Sequence, residues 1–195
     1  MIFTPKRCTW CLAHPLYIDY HDKEWGTPIH DPLKLFEFII LEGMQAGLNW
    51  LSVLKKRQAM EKAFLGFDPE KLACLKEKDL QRLLNNPDII RNRLKIAAVK
   101  KNAQAFLDFK EGNFSEWIWQ FTDGRSIQNH WQKLKEVPAI TKASEHMAKA
   151  LKKQGFCFVG PTTCYAFMQA VGMVNDHLTS CFRYQELKLR NFLIE

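Results

Sequence analysis

Apolar residues recur along most of the chain at spacings of three and four residues, the period of an amphipathic helix. Convincing alternation of apolar and polar residues, which would indicate strands, is absent, so the pattern predicts an all-α fold. Asp31 and Asp68 each precede a proline, and this pair of residue types is favoured where a helix begins. The predicted helices cover residues 32–46, 49–64, 69–76, 78–85, 91–110, 115–121, 142–154, 161–171 and 174–182.

One stretch departs from this regular pattern. Between residues 112 and 138, glycine, asparagine, serine and proline are mixed with Trp117, Trp119 and Trp131. Such a mixture indicates an irregular connection between helices. We expect its tryptophans to anchor it by packing in the core.

Neither a repeat nor a low-complexity linker divides the chain, and its 195 residues with 47% apolar content suffice for a sizeable core. We therefore expect a single unit over residues 1–195. Its helical core would span about 30–175, between terminal segments 1–30 and 175–195.

The charge favours an anionic partner. The chain carries a net charge of +7 and a pI near 9.1, which is typical of proteins that bind polyanions. Basic residues cluster at 55–57, 91–93, 100–101 and 152–153. Basic helices are also often merely solvated, so this signal alone leaves both interpretations open.

The apolar runs and the cysteines indicate whether the protein enters a membrane and in which compartment it works. The longest apolar stretch, residues 33–41, is interrupted by Lys34 and Glu37 and is far shorter than the ~20 residues needed to cross a bilayer. Residues 1–7 lack the apolar stretch of a secretory signal, and the six cysteines are irregularly placed. We expect a soluble, cytoplasmic protein without a membrane partner.

Two half-sites for a metal ion lie at opposite ends of the chain. Cys8 and His21 are near the start, and His177 and Cys181 are four residues apart near the end. On the predicted helix 174–182, this spacing would place both side chains on one face, where they could share a tetrahedral ion. Chance pairing of six cysteines and six histidines is the alternative. Cys11 adds a further possibility, because Cys8 and Cys11 form a Cys-x-x-Cys pair suited to metal binding or thiol chemistry.

A tight turn joins the predicted helices 142–154 and 161–171. Gly155 is a candidate C-cap of the first helix, and Gly160 followed by Pro161 begins the second. The free amides at that start could hold a phosphate oxygen without reading base sequence, with Lys152 and Lys153 adding positive charge. An ordinary helical hairpin is the alternative.

Aromatic residues and one acid form a second candidate site. Trp10, Tyr17, Tyr20 and Trp25 fall within sixteen residues, and flat rings can sandwich an extruded base. Core packing is the alternative, and we favour it for Trp25. Glu42 projects from an apolar helical stripe, so it needs either an internal partner such as an arginine or a helix end, or a bound ligand.

Four motifs resemble the 3-methyladenine DNA glycosylase I family, also called Tag, and the resemblance covers nearly the whole chain. The motifs are PLYIDYHDKEWG at 15–26, LEGMQAGLNW at 41–50, GFCFVG at 155–160 and VNDH at 174–177. The third also resembles the helix-hairpin-helix element of DNA repair glycosylases. The resemblance implies that fold, with the element at about 142–171.

The resemblance implies one structural zinc ion per chain, which joins the N- and C-terminal segments. Its ligands would be Cys8, His21, His177 and Cys181, which leaves Cys11 as a bystander. The resemblance also implies the roles of the aromatic cluster. Glu42 and Tyr20 are the candidate catalytic residues, Glu42 acting mainly by recognising the base. The base pocket consists of Trp10, Tyr17, Tyr20, Glu42 and Trp50.

The DNA contacts implied by the resemblance fall at two places. Gly47 and Leu48 correspond to a wedge that fills the gap left by the extruded nucleotide. The hairpin contacts are Lys153, Gly155, Phe158, Gly160, Thr162 and Thr163.

The implied activity is hydrolysis of the N-glycosidic bond of 3-methyladenine in double-stranded, alkylated DNA, which yields an abasic site. The related lyases carry a lysine where this chain has Thr162, so we expect a monofunctional enzyme without strand cleavage. Asp176 adjoins a predicted zinc ligand, and we do not expect it to activate water. We expect a monomer. The rival interpretations are a zinc-stabilised DNA-binding module without activity, a glycosylase of broader range and, least favoured, a catalytic zinc hydrolase.

Overall fold

The structure is a computed structural model that describes residues 5–191. Residues 1–4 and 192–195, the outer ends of the two predicted terminal segments, lie outside the described residues. The described part is mostly helical, which confirms the expected fold class at that level. Its α-helices are α1 Pro15–Lys23, α2 Pro32–Gln45, α3 Trp50–Ala63, α4 Pro69–Ala73, α5 Glu77–Asn85, α6 Arg93–Leu107, α7 Phe114–Trp119, α8 Lys142–Lys153, α9 Pro161–Ala170 and α10 Phe182–Asn191. Short 3₁₀ turns occur at Thr9–Ala13, Leu65–Phe67, Gln120–Thr122 and Leu134–Glu136.

The helix starts follow local capping chemistry. The Asp31 carboxylate accepts hydrogen bonds from the amides of Leu33 and Lys34, and Asp68 caps α4 in the same way. A proline occupies the first helical position in both cases, where its missing amide has no intrahelical partner to lose. These caps place the starts of α2 and α4 where the sequence predicts them.

Helix α2 is the central helix of the fold. Residues 35–44 are all buried, and the helix packs against α3, α6 and α9. A helix surrounded on several sides must be apolar nearly all round, as this one is. Glu42 lies within that buried run, so the fold carries a carboxyl group into its interior.

Two corrections concern secondary structure. The predicted helix 174–182 is wrong: Val174–Asn175 is a short strand, β2, that pairs in parallel with β1 at Ile127–Gln128, and α10 begins only at Phe182. The Asn175 side chain donates to the Gln128 side chain and to the Tyr184 carbonyl, and these non-local bonds hold the segment extended. Both strands are too short for an alternating pattern to show in the sequence.

Helix α1 is the second correction, because the sequence pattern did not predict it. It begins at Pro15 after His14, whose Nδ1 accepts the Leu16 amide at 3.1 Å. Among residues 5–191, no helix has the length and apolar character needed to cross a membrane.

Candidate active site and metal centre

A cavity of about 220 Å³ opens between α1, α2, α3 and α9. It brings together all five predicted pocket residues: Trp10, Tyr17, Tyr20, Glu42 and Trp50. Trp25, which we expected in the core, and Asp176 also line it. Residues that the sequence did not single out complete the lining, namely Gln45, Leu134, Val137, Ala166 and Gln169. A larger groove, of about 700 Å³, lies beside α3, α4 and α5, but its described lining lacks aromatic side chains. The smaller cavity is therefore the candidate site.

Glu42 is the most unusual group in this cavity. Its side chain is 3% exposed, and its Oε2 atom has no hydrogen-bond partner among the described residues. Burial raises the pKa of Glu42 to about 8. The nearby arginine, Arg57, donates instead to Glu24 and Glu37, so the internal partner considered from the sequence is not found. Buried polar groups are nearly always paired, and an unpaired acid in a cavity is typical of a ligand site.

The indole of Trp50 also carries a buried polar atom without a hydrogen-bond partner in the described part of the chain. Its Nε1 donor is buried without a partner among the described residues. Trp50 is the first residue of α3, which follows the Asn49 cap, and its ring lies 5.3 Å from that of Tyr20. The cavity thus offers a ligand an unpartnered carboxyl oxygen, an unpartnered indole donor and several aromatic rings.

Tyr17 and Tyr20 are three residues apart on α1, so both rings face the cavity. The Tyr17 hydroxyl accepts the Leu51 amide at 2.9 Å, which ties α1 to the start of α3. Burial, and secondarily the neighbouring Glu42, raises the pKa of Tyr20 well above its ordinary value. Tyr20 therefore stays a neutral hydrogen-bonding group.

Asp176 reaches the cavity wall but is fully engaged by the protein. Its two oxygens accept four hydrogen bonds of 2.7–2.8 Å, from Asn129, Trp131, Tyr165 and Gln169. A carboxylate has about four lone-pair sites, so none remains for a water molecule. That Asp176 does not activate water stays a prediction, and this saturation with hydrogen bonds is the physical argument for it.

The four predicted metal ligands lie together in a buried cluster. Cys8, His21, His177 and Cys181 present ligand atoms that are all within 4.8 Å of one another. His177 Nδ1 lies 3.2 Å from His21 Nε2, and three of the four sulfur–nitrogen separations are 3.4, 3.6 and 3.8 Å. Zinc bonds of ~2.3 Å to sulfur and ~2.0 Å to nitrogen would separate tetrahedral ligand atoms by about 3.3–3.8 Å. The donor set and its spacing fit such an ion.

Hydrogen bonds around the cluster fix both imidazoles. His21 Nδ1 lies 2.8 Å from Asp22, which is held by Arg7, and His177 Nε2 lies 3.0 Å from the Trp25 carbonyl. Each ring thus directs its other nitrogen at the cluster, the arrangement typical of metal-binding histidines. The hydrogen bond with Cys8 and the two imidazoles lower the pKa of Cys181, and the same hydrogen bond together with burial raises the pKa of Cys8.

The route by which His177 and Cys181 meet differs from the prediction. They lie in the connection between β2 and α10 rather than on one helical face. The Cys181 amide donates to the Leu178 carbonyl, and this turn brings the two side chains together. Cys11 is outside the four-residue cluster, and its thiol donates to the Cys8 carbonyl at 3.1 Å.

The predicted DNA contacts lie on two turns and on the helix ends next to them, and they are exposed or partly exposed. Gly47 has a φ of +73° in the turn between α2 and α3, and Leu48 is 46% exposed. We call residues 46–49 the wedge loop. In the hairpin, residues 154–160 between α8 and α9, Gly155 has a φ of +91° and Phe158 a φ of +58°. The N-cap of α9, Gly160, has no capping side chain, so the amides of Thr162 and Thr163 are not capped by it.

Comparison with known proteins supplies an independent line of evidence. Residues 10–184 match the family model described as methyladenine glycosylase. A Haemophilus influenzae protein named DNA-3-methyladenine glycosylase is 50% identical over 177 residues, which cover 90% of this chain and 96% of that protein. The crystal structure of a 3-methyladenine DNA glycosylase I is 51% identical with a TM-score of 0.89, covering 91% of this chain and 98% of that one. A Staphylococcus aureus structure, described as showing the basis of 3-methyladenine recognition, is 35% identical with a TM-score of 0.87, covering 90% and 95%.

Proposed function

Because this chain belongs to the methyladenine glycosylase family, whose members are hydrolases of N-glycosyl bonds, we propose that it excises 3-methyladenine from alkylated double-stranded DNA. The reaction leaves an abasic site and releases the free base. The observation that carries this proposal is the pair of unpartnered buried groups, Glu42 Oε2 and Trp50 Nε1, in a cavity walled by aromatic rings.

The cavity suits a flipped, alkylated purine. Methylation at N3 places a positive charge on the base, and electron-rich rings such as those of Tyr17, Tyr20 and Trp50 attract a cation placed over them. Glu42 accepts a hydrogen bond from the polar edge of the base, and Tyr20 supports it from the adjoining wall. The cavity volume of about 220 Å³ is sufficient for one base.

Much of the chemical driving force resides in the substrate. A cationic base is a good leaving group, so binding and orientation by the cavity contribute more than acid–base chemistry. Asp176 is saturated with hydrogen bonds and takes no part in proton transfer in this scheme. Glu42 and Tyr20 are the residues that act on the reacting base, with Glu42 mainly recognising it.

We assign the metal centre to structural zinc. A Cys2His2 set supplies all four tetrahedral ligands, so when bound the ion contributes cross-linking rather than an activated water. Three of the ligands are close in the sequence to residues that line the base cavity: His21 follows Tyr20, His177 follows Asp176, and Cys8 is two residues before Trp10. Cys8, His21, His177 and Cys181 therefore hold the aromatic wall in place.

The DNA would be held at two places. Leu48 on the wedge loop enters the gap left by the flipped nucleotide, and Gly47 permits the turn that exposes it. The hairpin amides near Gly160 and the charge of Lys153 hold a phosphate. Thr162 stands where the related lyases carry lysine, so the abasic strand stays intact.

The cellular setting is proposed on the same basis. We propose that residues 1–195 act as one monomeric unit, and that the enzyme works in the cytoplasm. Six free cysteines, among the residues that the structure describes, suit a reducing compartment.

The decisive test measures release of 3-methyladenine from N-methylated duplex DNA by the pure protein, with the products separated by chromatography. Glu42→Gln should cut the rate by tenfold or more, whereas Glu145→Gln, which removes an exposed acid on α8, should leave it unchanged. The depurinated strand should break only on heating with alkali. Binding of DNA without base release would instead favour the module without activity, and spontaneous strand cleavage would contradict the monofunctional assignment.

A further inference from the structure

Helix α6 carries two buried polar side chains that bond to other elements. Lys95 is 7% exposed and Asn102 is 2% exposed. They are seven residues apart, which is two helical turns, so they lie on one face of α6. That face meets the end of α2 and the hairpin, and both side chains line one small cavity together with Gly43, Met44 and Phe158.

Lys95 reaches the start of the wedge loop. Its Nζ donates to the carbonyls of Met44 at 2.8 Å and Ala46 at 2.6 Å. These carbonyls lie at the C-terminus of α2, where intrahelical partners run out and the helix dipole favours a cation. Ala46 has left the helical conformation, with φ −42° and ψ 118°, and Gly47 and Leu48 follow directly. The ammonium group therefore fixes the backbone from which Leu48 projects.

Asn102 reaches the hairpin in a comparable way. Its Oδ1 accepts the Cys157 amide at 2.7 Å, and its Nδ2 donates to the Cys157 carbonyl at 3.1 Å. This pair of bonds satisfies both backbone groups of one hairpin residue. Phe158, next along the chain, is close enough to α2 that a Cβ atom on Gly43 would lie 3.4 Å from the Cβ of Phe158.

We propose that Lys95 and Asn102 are positioning residues that hold the wedge loop and the hairpin at a fixed separation, so that both meet the DNA together. The inference rests on the proposed function, because it takes these two turns as the DNA contacts. Burying an ammonium group costs free energy that a methionine at position 95 would avoid, so stability alone does not account for a lysine there. Neither Lys95 nor Asn102 is among the described residues that line the base cavity.

Two ligands separate positioning from general stability. Free 3-methyladenine probes the cavity alone, and a duplex with a tetrahydrofuran abasic analogue probes the wedge and hairpin. Lys95→Met should weaken duplex binding at least tenfold and change free-base affinity less than twofold. Lys95→Arg, which keeps charge and donors, should recover duplex affinity to within about threefold of the original.

Lys100→Met is the matched control. Lys100 is on the same helix and its Nζ donates to the Leu75 carbonyl at 2.7 Å, away from both turns. Lys100 is one of the basic pair at 100–101, so this variant removes one positive charge, as Lys95→Met does. It should weaken duplex binding less than threefold and change free-base affinity less than twofold. Equal effects of Lys95→Met and Lys100→Met on duplex binding would overturn the inference. Should Lys95→Met fail to fold, Asn102→Ser serves as the second variant, with the same tenfold and twofold expectations.

A double-mutant cycle measures the coupling between positions 95 and 48 in duplex binding, which a purely structural role of Lys95 would not produce. Leu48→Ala should weaken duplex binding about tenfold in the original protein but less than threefold beside Lys95→Met, because the loop is already misplaced. A tenfold effect in both backgrounds would refute positioning. The two proposals can be refuted separately. Excision of 3-methyladenine together with additive effects on duplex binding would contradict only this inference. Non-additive effects on duplex binding without excision would contradict only the enzymatic assignment.

Discussion

Replacing Glu42 by glutamine should make the fold more stable, and increasingly so as the pH rises. Glu42 is buried without a partner for Oε2, and burial raises the pKa of its carboxyl group to about 8. Glutamine has nearly the same shape and carries no titrating proton. The two proteins therefore differ in one ionisation, which makes the pH dependence of their stability difference a direct measure of the Glu42 environment.

The magnitude follows from proton linkage. Below the ordinary pKa of 4.5 the carboxyl is protonated in both states, and above it the unfolded chain ionises while the folded protein stays protonated up to about pH 8. A folded pKa above the unfolded one means that stability is highest at low pH and falls as pH rises, by about 1.4 kcal/mol per unit. The loss is about 4 kcal/mol at pH 8, and about 3.5 kcal/mol of it falls between pH 5 and 8.

Urea unfolding at pH 5, 6, 7 and 8, followed by tryptophan fluorescence, measures this difference. Groups of the metal centre titrate equally in both proteins, so their contributions cancel. The amide of glutamine has its own burial cost, but that cost does not change with pH. Glu145→Gln changes an exposed acid, so its free energy of unfolding should depend on pH in the same way as that of the original protein. If the Glu42→Gln curve also ran parallel, the carboxyl would be ionised or paired in the fold, and the reasoning would be wrong.

Three further predictions address the cavity and the metal centre. Tyr20→Phe should weaken binding of free 3-methyladenine about tenfold by calorimetry, since it removes the hydroxyl beside Glu42; unchanged affinity would contradict the pocket assignment. Trp50→Phe keeps a ring but removes the unpartnered Nε1 donor, so base affinity should fall about fivefold while the urea midpoint holds or rises, and an unaffected affinity would show that the donor has no ligand. Cys181→Ser should lower the zinc content below one per chain and weaken both stability and base binding, as measured by elemental analysis and calorimetry; full base affinity without metal would show that the centre does not support the cavity wall.

Helix starts were predictable because capping is local chemistry. Asp31 and Asp68 satisfy amides two or three residues away, so the sequence carries the whole signal. Helix α1 illustrates the limit of that rule. A histidine in place of aspartate caps it, and its mixed apolar and charged residues show little periodicity.

The four residues of the metal centre show how side chains that do lie together can be predicted from an incorrect local structure. Spacing on a helix favoured His177 and Cys181 as one half-site, yet the chain there is a strand followed by a turn. The extended conformation depends on side-chain hydrogen bonds of Asn175 with Gln128 and of Asp176 with Asn129. In both pairs the partner is more than forty residues away in the sequence. Bonds between such distant residues leave no periodic trace in the sequence. For the same reason the pocket contribution of Gln169 was not predictable.

The ionisation of Glu42 offers a physical basis for choosing an alkylated base over a normal one. At pH 7 an acid with a pKa of about 8 is mostly protonated, and ionising it costs only about 1.4 kcal/mol. A neutral base has no charge–charge attraction to offset that cost. A cationic base about 4 Å from the carboxylate would attract it by roughly 4 kcal/mol at an effective dielectric constant near 20. Under the proposed function the carboxylate therefore forms only beside a charged base. Once the glycosidic bond breaks, the base loses its charge and that attraction disappears, so the interaction is strongest before the bond breaks and weakest on the product that must leave.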